Sequence, residues 1–296
     1  TRLTGIPITL TLMGLGAYPA SDKQYLGMLG MHGTYEANMA MHDCDVMIAV
    51  GARFDDRVTG NLDFFSPGSQ KVQIDIDQSS INKNVPVDIG IVGDVGHVLE
   101  DMMKIWKAKQ HKIEAKALDS WWDEIEGWRG KHCLSYKQPK DIIKPQHVIR
   151  RVHALTRDRK TYITTDVGQH QMWAAQLFKF EEPNRWMTSG GLGTMGYGLP
   201  AAVGVQVAHP DSLVIDIAGD ASVLMTIQEM STAVQHDLPI KIFILNNQYM
   251  GMVRQWQELF WEGRYAGSSF APFQPSFAGI AQAYGIHAAT VHAPED

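Results

Sequence analysis

Short apolar runs rich in β-branched residues alternate along this chain with longer stretches of mixed polarity. The runs lie at residues 6–12, 45–50, 71–76, 89–92, 161–165, 212–217 and 240–245. Runs of this length, separated by helical stretches such as residues 222–237, are typical of parallel strands buried on both faces. The pattern therefore predicts an α/β fold with two doubly wound parallel-sheet domains.

A change in composition separates the two sets of strands. Lys, Glu, Gln and Trp are frequent between the sets, and strand character is missing there. A helical pattern at 112–130 contains Trp121, Trp122 and Trp128, whose indoles we expect to pack on a neighbouring domain rather than to stack on a ligand. The sequence thus predicts one domain at 1–103, a helical, Trp-rich linker at 104–145 and a second domain at 146–296.

Charge and composition exclude several classes of partner. The 296 residues carry a formal charge of −6 without a long run of Lys or Arg, which argues against nucleic acid. No apolar run reaches the roughly 18 residues of a membrane span. Cys44 and Cys133 match no zinc spacing and no disulfide is needed, so we expect a reducing cytoplasm. The chain starts without Met or a signal-peptide pattern, and both ends look internal, so a fragment is expected.

Two of the apolar runs in the second domain are followed by metal-type oxygen ligands. Asp220 closes the run that begins at residue 212, and Asn247 follows the run at 240–245. In an open α/β sheet, ligands collect beyond the carboxyl ends of the strands, so both side chains should face one crevice. An Asp at a strand end is often only a helix cap. The 27-residue spacing and the two flanking strands favour a Mg²⁺ site instead.

A glycine loop in the same domain offers a competing interpretation. Residues 191–196 fit the G-x-G-x-x-G fingerprint of nicotinamide dehydrogenases. That fingerprint should follow a well-formed strand and have its own acidic partner about 20 residues later. Here the preceding strand is weak and Asp220 already belongs to the metal motif. We therefore interpret the loop as a close approach of backbone to a flat or phosphorylated ligand, with Met195 packed beneath it.

Polar residues also follow the strands of the first domain. The loop after residue 50 carries Arg53 and Arg57, which would suit a phosphate or a ring edge as well as a solvated loop of paired charges. His32, between glycines, is by itself more typical of a turn than of a catalyst. Asp75 and Asp94 close two further strands, where a carboxylate can accept hydrogen bonds from ribose or ribityl hydroxyls.

Longer motifs carry a resemblance to a known family. They are Leu-Gly-Met-His-Gly at 29–33, Gly-Ala-Arg-Phe-Asp-Asp-Arg at 51–57, Gly-Gln-His-Gln-Met-Trp-Ala at 168–174, the glycine-rich segment 188–200, Gly-Asp-Ala-Ser at 219–222 and Gly-Met-Val-Arg-Gln-Trp at 251–256. Over essentially its whole length the chain resembles the catalytic large subunit of acetohydroxyacid synthase (acetolactate synthase), a thiamine diphosphate enzyme of branched-chain amino-acid biosynthesis.

The resemblance implies three cofactors. Mg²⁺ would be held by Asp220, Asn247 and Tyr249, the last through its backbone carbonyl. The residues implied at thiamine diphosphate are Val167, Gly168, Gln169, His170, Met195, Gly219, Ala221, Ser222 and Met225. Those implied at FAD, which has a structural role in the family, are Met31, His32, Ala52, Arg53, Asp55, Arg57, Asp75, Ile76 and Asp94.

The resemblance also implies substrates and partners. Trp256, Met252 and Arg57 would select the second 2-keto acid, and the family's active sites lie between subunits of a homodimer or homotetramer. A regulatory small subunit is usual. The family's catalytic Glu belongs to an N-terminal domain that has no counterpart here, so no residue takes that role and the fragment alone should be inactive. The chain departs from the family at Val223 and at the insertion-like stretch 265–274.

The implied reaction is carboligation, a transferase chemistry. Pyruvate loses CO₂ on thiamine diphosphate, and the remaining two-carbon unit joins a second pyruvate or 2-ketobutyrate to give acetolactate or acetohydroxybutyrate. Three alternatives stay open within the superfamily: a pyruvate oxidase, a 2-keto acid decarboxylase and a glyoxylate carboligase. A catalytically silent flavin-binding homologue is a fourth alternative, and it would bind FAD without Mg²⁺-dependent uptake of thiamine diphosphate.

Overall fold

The computed structural model describes residues 1–295, which form two compact units. The first unit contains Thr1–Leu12 and Ser21–Ser135, and the second contains Met13–Ala20 and the chain from Tyr136 onward. Every paired strand is parallel, and helices alternate with strands, so the predicted α/β class with parallel sheets is confirmed. The domain limits proposed at 103 and 146 stay a prediction. No helix within 1–295 combines the length and the apolar character that crossing a membrane requires.

The first unit contains two parallel sheets. Strands β1 (Ile8–Leu10) and β2 (Tyr25–Met28) pair with each other, and β3 (Val46–Val50), β4 (Gln70–Asp75) and β5 (Ile89–Val92) form a sheet in that order. Its helices are α1 (Tyr35–Asp43), α2 (Asp56–Thr59), α3 (Val95–Ala108) and α4 (Ala115–Arg129). Two 3₁₀ turns lie at Leu62–Phe64 and Gln78–Ser80, and a third, Leu12–Gly14, begins at the end of Thr1–Leu12 and continues into the second unit.

Helix α4 belongs to the first unit. Its Ile125 is fully buried with Leu26 of β2 and with Ala37 and Ala40 of α1. The predicted tryptophans Trp121, Trp122 and Trp128 pack against this cluster, and the indole of Trp122 donates a hydrogen bond to the carbonyl of Gly5 at 3.0 Å. The indoles are therefore packing residues, in agreement with the packing role expected from the sequence.

The second unit is built around a four-stranded parallel sheet with strand order β7-β6-β8-β9. The strands are β6 (Thr161–Thr165), β7 (Trp186–Met187), β8 (Leu213–Gly219) and β9 (Lys241–Leu245). The helices are α5 (Pro145–Thr156), α6 (Gln169–Leu177), α7 (Gly198–Ala208), α8 (Asp220–Val223), α9 (Glu229–Gln235), α10 (Gly251–Phe260) and α11 (Phe277–Ala283). Strand β8 lies between β6 and β9, and its Val214, Ile215 and Ile217 are at most 1% exposed. Burying each of these side chains contributes about 1.5–3 kcal/mol.

The structure differs from the sequence prediction in two elements. Every predicted strand is present within two residues, but β2 was missed because Gly27, at φ 106°, interrupts its apolar pattern. The helix predicted at 222–237 is split into α8 and α9. Between them, the hydroxyl of Thr226 donates to the carbonyl of Gly196 at 3.0 Å, so a tertiary contact overrides local helix propensity.

Candidate active site

The register of β8 and β9 brings the predicted metal ligands to one place. Gly219 of β8 pairs with Leu245 of β9. Asp220 comes directly after Gly219, and Asn247 comes two residues after Leu245. Both residues and Tyr249 border the same pocket at the carboxyl ends of the strands. This is the position at which open α/β sheets bind ligands. Coordination by these residues stays a prediction.

The pocket brings together most of the residues predicted at thiamine diphosphate. Those that line it are Val167, Gly168, Gln169, His170, Met195, Gly219, Ala221 and Ser222. Met225 does not line it and instead packs beside Gly196, half exposed. Five further residues that line the pocket were not predicted from the sequence, namely Trp173, Leu245, Met250, Gly251 and Val253. Trp173, Gly251 and Val253 lie within quoted motifs, so the motifs could have indicated them.

Asp220 is a buried carboxylate whose partners are all neutral. Its side chain is 2% exposed, and its Oδ1 accepts from the backbone N–H of Ala221 at 3.0 Å. The side-chain amide of Gln274 donates to Oδ2 at 2.7 Å. Burial raises the pKa of Asp220, and the hydrogen bond from Gln274 opposes that rise. A buried carboxylate that is contacted only by neutral donors is a suitable ligand for a cation.

Asn247 is held in a tight turn beside Asp220. Its Oδ1 accepts from the backbone N–H of Tyr249 at 3.0 Å, an Asx-type turn that returns the chain towards the pocket. The neighbouring Asn246 donates from Nδ2 to Oε1 of Gln274 at 2.8 Å. The amide of Gln274 therefore bridges the two strand ends.

The donor set fits a hard cation that brings some of its own ligands. Across residues 1–295, no group of three or more His, Cys, Asp or Glu is placed to hold a metal ion. One carboxylate, one amide oxygen and a backbone carbonyl at one pocket match Mg²⁺, which usually keeps few protein ligands and completes its shell with phosphate and water.

His170 forms a neutral part of the pocket wall. It is 7% exposed, its ring lies against Gly168 and Gly219, and burial lowers its pKa to about 4. Its Nε2 has no hydrogen-bond partner in the protein. The imidazole is therefore uncharged at neutral pH.

Helix α10 is fixed to the start of α6 through side-chain amides. The Nε2 atom of Gln169 donates to Oε1 of Gln255 at 3.0 Å. A Cβ on Gly251, the first residue of α10, would overlap Oε1 of Gln169 and lie 2.9 Å from Nδ2 of Asn247, so a larger residue would displace these two amides. The pocket is thus closed on one side by a helix that cannot move outward without breaking these contacts.

The residues predicted to select the substrate are not all at this pocket. Met252 lines it, whereas Trp256, one turn further along α10, packs its ring edge-on against Phe260 with centroids 6.0 Å apart. Arg57 belongs to the first unit, where it donates to Asp56 at 2.9 Å and borders a separate pocket together with Met31. Their role in substrate selection stays a prediction.

Most of the residues predicted at FAD lie just after the strands of the first unit. Strand β3 is followed by Ala52, Arg53 and Asp55, and β2 is followed by Met31 and His32. Strand β4 ends at Asp75 and is followed by Ile76, and β5 is followed by Asp94. Several of them already have local partners. Arg53 pairs with Asp55 at 2.8 Å, Asp75 accepts from the N–H of Asp77 at 2.9 Å, and Asp94 caps α3. Burial, followed by the charge of Arg57, lowers the pKa of His32. Contact with a flavin stays a prediction.

The glycine loop at 191–196 follows a strand of only two residues, β7, and leads into α7. Gly193 and Gly196 have φ angles of 67° and 86°, which favour glycine. A Cβ on Gly196 would lie 2.8 Å from that of Met225. The loop brings Met195 to the pocket, and its short preceding strand differs from the long strand that a dinucleotide fingerprint follows.

Two domain models match this chain. The central domain of thiamine pyrophosphate enzymes matches residues 1–102, and their C-terminal thiamine pyrophosphate-binding domain matches residues 166–296. The second match contains every residue that lines the pocket described above, because the first of them is Val167. Together the two models account for most of the chain.

Curated relatives agree with these matches. The chain is 48% identical to an acetolactate synthase large subunit of Haemophilus influenzae, over 98% of this chain and 50% of the relative. It is 50% identical to the acetolactate synthase isozyme 3 large subunit of Escherichia coli, over 95% and 48%. It is 46% identical to the large subunit of Cyanidium caldarium, over 98% and 49%. The chain thus spans about half the length of these relatives. It belongs to the thiamine pyrophosphate enzyme family, and within that family its sequence is similar to acetolactate synthase large subunits.

Proposed function

We propose that this chain is the part of an acetolactate synthase large subunit that holds the diphosphate end of the cofactor. The complete enzyme would decarboxylate pyruvate and condense the two-carbon unit with pyruvate or 2-ketobutyrate. The observation that carries the proposal is the pocket at the ends of β8 and β9, where Asp220 and Asn247 lie together. The similarity to acetolactate synthase large subunits along nearly the whole chain supports the choice of reaction.

Different residues of the pocket would bind Mg²⁺, the diphosphate and the rest of the cofactor. Asp220, Asn247 and the carbonyl of Tyr249 would hold Mg²⁺, which anchors the diphosphate. Helix α6 begins at Gln169 on the pocket rim, so the N–H groups of its first turn are available to phosphate oxygens. Neutral His170 and apolar Met195 would face the rest of the cofactor. Bound thiamine diphosphate supplies the electron sink for decarboxylation.

Further parts of the proposal concern residues and partners outside this pocket. Met252, Trp256 and Arg57 would select the second 2-keto acid, since an apolar wall discriminates by about 1–3 kcal/mol per methylene. The residues after the strands of the first unit would bind FAD. The large-subunit relatives support a regulatory small subunit as a partner, and we propose a homodimer or homotetramer with shared active sites.

Replacing Gln274 is expected to strengthen cation binding. In Gln274→Leu the donor to Oδ2 of Asp220 is lost, so an entering cation no longer competes with an amide at 2.7 Å. Because a hydrogen bond to a charged group is worth about 1.5–3 kcal/mol, the affinity should rise roughly 10- to 100-fold. The measurement is the Kd of Mn²⁺ in the presence of thiamine diphosphate, determined by electron paramagnetic resonance. Gln228→Leu, which changes a residue outside the pocket, is the control. An unchanged or weaker affinity would contradict competition between Gln274 and the cation.

Product analysis tests the proposed reaction. The complete subunit is supplied with pyruvate, Mg²⁺, thiamine diphosphate and FAD, and the accumulating product is identified. Acetolactate is expected. Acetaldehyde would indicate a decarboxylase, and acetyl phosphate or acetate with reduced flavin would indicate an oxidase. Cofactor binding without any product from pyruvate, or from glyoxylate as an alternative substrate, would indicate a silent homologue.

A further inference from the structure

Two carboxylates are buried behind the pocket, and the function proposed above does not use them. Asp166 directly follows β6, Asp216 lies in the neighbouring strand β8, and both are 0% exposed. The hydroxyl of Thr164 donates to Oδ1 of Asp216 at 3.0 Å, and the N–H of Gly198 donates to Oδ1 of Asp166 at 2.7 Å. The Oδ2 atom of each carboxylate is buried without a hydrogen-bond partner. Neither carboxylate forms an ion pair within the described part of the chain.

Both carboxylates reach the same residue, the first of helix α7. Gly198 donates to Asp166, and a Cβ placed on Gly198 would overlap Oδ1 of Asp216. The two acids are therefore close neighbours across the adjacent strands β6 and β8.

Two buried anions this close together are unfavourable without a cation. Burial, reinforced by the charge of Asp166, raises the pKa of Asp216 well above its ordinary value. Burial also raises the pKa of Asp166, whereas the N–H of Gly198 opposes that rise. The titratable group that helix α6 contributes nearby is His170, which burial keeps neutral. Such a pair titrates as one unit, and the arrangement favours one proton for the two acids.

We propose that Asp166 and Asp216 share a single proton and act as a positioning pair for the cofactor pocket. Asp166 immediately precedes the pocket residues Val167 to His170, and Gly198 comes three residues after Met195. A shared proton lets one carboxyl group donate to the other, which helps to satisfy oxygen atoms that the hydrogen bonds from Thr164 and Gly198 leave without a partner. The pair thereby fixes the loop after β6 to the first turn of α7. Its effect on thiamine diphosphate rests on the proposed function, whereas the shared proton does not.

Infrared spectroscopy of the complete subunit tests the shared proton directly. At neutral pH the wild-type protein should show the carbonyl band of a protonated carboxylic acid, and Asp216→Asn should remove it. The control is Asp158→Asn, because that carboxylate is 90% exposed and should contribute no such band. If the Asp216→Asn spectrum keeps every protonated-acid band of the wild type, the proposal is overturned.

Binding of thiamine diphosphate, followed by quenching of tryptophan fluorescence, tests the positioning role. Asp216→Asn keeps a neutral donor towards Asp166, so its affinity should stay within about threefold of wild type, whereas Asp216→Ala should weaken binding about tenfold or more. Equal weakening by both variants would overturn the positioning role. An Asp216→Ala protein that fails to fold leaves the Asn variant to decide, since a loss of more than tenfold in Asp216→Asn also overturns it. Failure of the wild type itself to bind would refute the proposed function and leave the infrared result standing.

Discussion

Asp220→Ala is expected to abolish Mg²⁺-dependent binding of thiamine diphosphate. Asp220 is the one residue with a formally charged side chain among the described residues that line the pocket. Without it, the cation would be left with an amide oxygen and a backbone carbonyl, which are weak ligands for Mg²⁺. Removal of residues that merely support a metal ligand costs about 10- to 100-fold in affinity, so loss of the ligand itself should exceed about 100-fold.

Isothermal titration calorimetry of the complete subunit with thiamine diphosphate, with and without Mg²⁺, measures this effect. Asp211→Ala makes the same change of charge at an exposed position in the loop before β8, and it should bind as the wild type does. The cofactor-free Asp220→Ala protein should not be strongly destabilised, because the variant removes a buried carboxylate whose hydrogen bonds come only from neutral donors. Binding that stays Mg²⁺-dependent and within tenfold of wild type would show that Asp220 is not the metal ligand.

The strand ends of the second unit could be predicted from the sequence because two independent signals coincide there. The apolar runs specify buried parallel strands, and parallel strands place their carboxyl ends at one edge. Asp220 and Asn247 come shortly after these runs, so they meet once the two strands lie side by side, as β8 and β9 do. Val223, which departs from the family pattern, is fully buried beside Leu199 and Met230, a position that the motif alone did not reveal.

Residues brought to the site by tertiary packing could not be predicted in the same way. Gln274 lies 54 residues beyond Asp220 in the chain, and no local pattern links the two. Asp166 and Asp216 meet only because β6 and β8 are neighbours, an order that the apolar runs leave undetermined. Trp256 differs from these residues. Its motif was recognised, and its contact with Phe260, four residues further along α10, is the local contact that helical spacing allows.

Gly198→Ala is expected to produce the largest loss of stability in the second unit. A Cβ at this position would overlap Oδ1 of Asp216, and it would lie 2.7 Å from the backbone N of Asp166 and 2.9 Å from the backbone C of Thr165. Two of these three atoms are backbone of β6 and the residue after it, so a side-chain rotation cannot relieve the overlap. Overpacking of a core costs about 1–3 kcal/mol and more where the backbone must shift, so a loss of about 3 kcal/mol is expected.

Helix α7 itself provides the matched control. Gly204 lies in the same helix with no atom within 4 Å of its added Cβ, so Gly204→Ala should stabilise the protein by up to about 1 kcal/mol through helix propensity. Urea unfolding of both variants separates the two effects, since they share the chemistry of the substitution and differ only in its surroundings. Gly198→Ala should also weaken thiamine diphosphate binding, because the first turn of α7 must move away from Asp166. If the two variants unfold at the same urea concentration, the close packing of Gly198 against the two buried carboxylates is wrong, and with it the contact through which they would hold the loop.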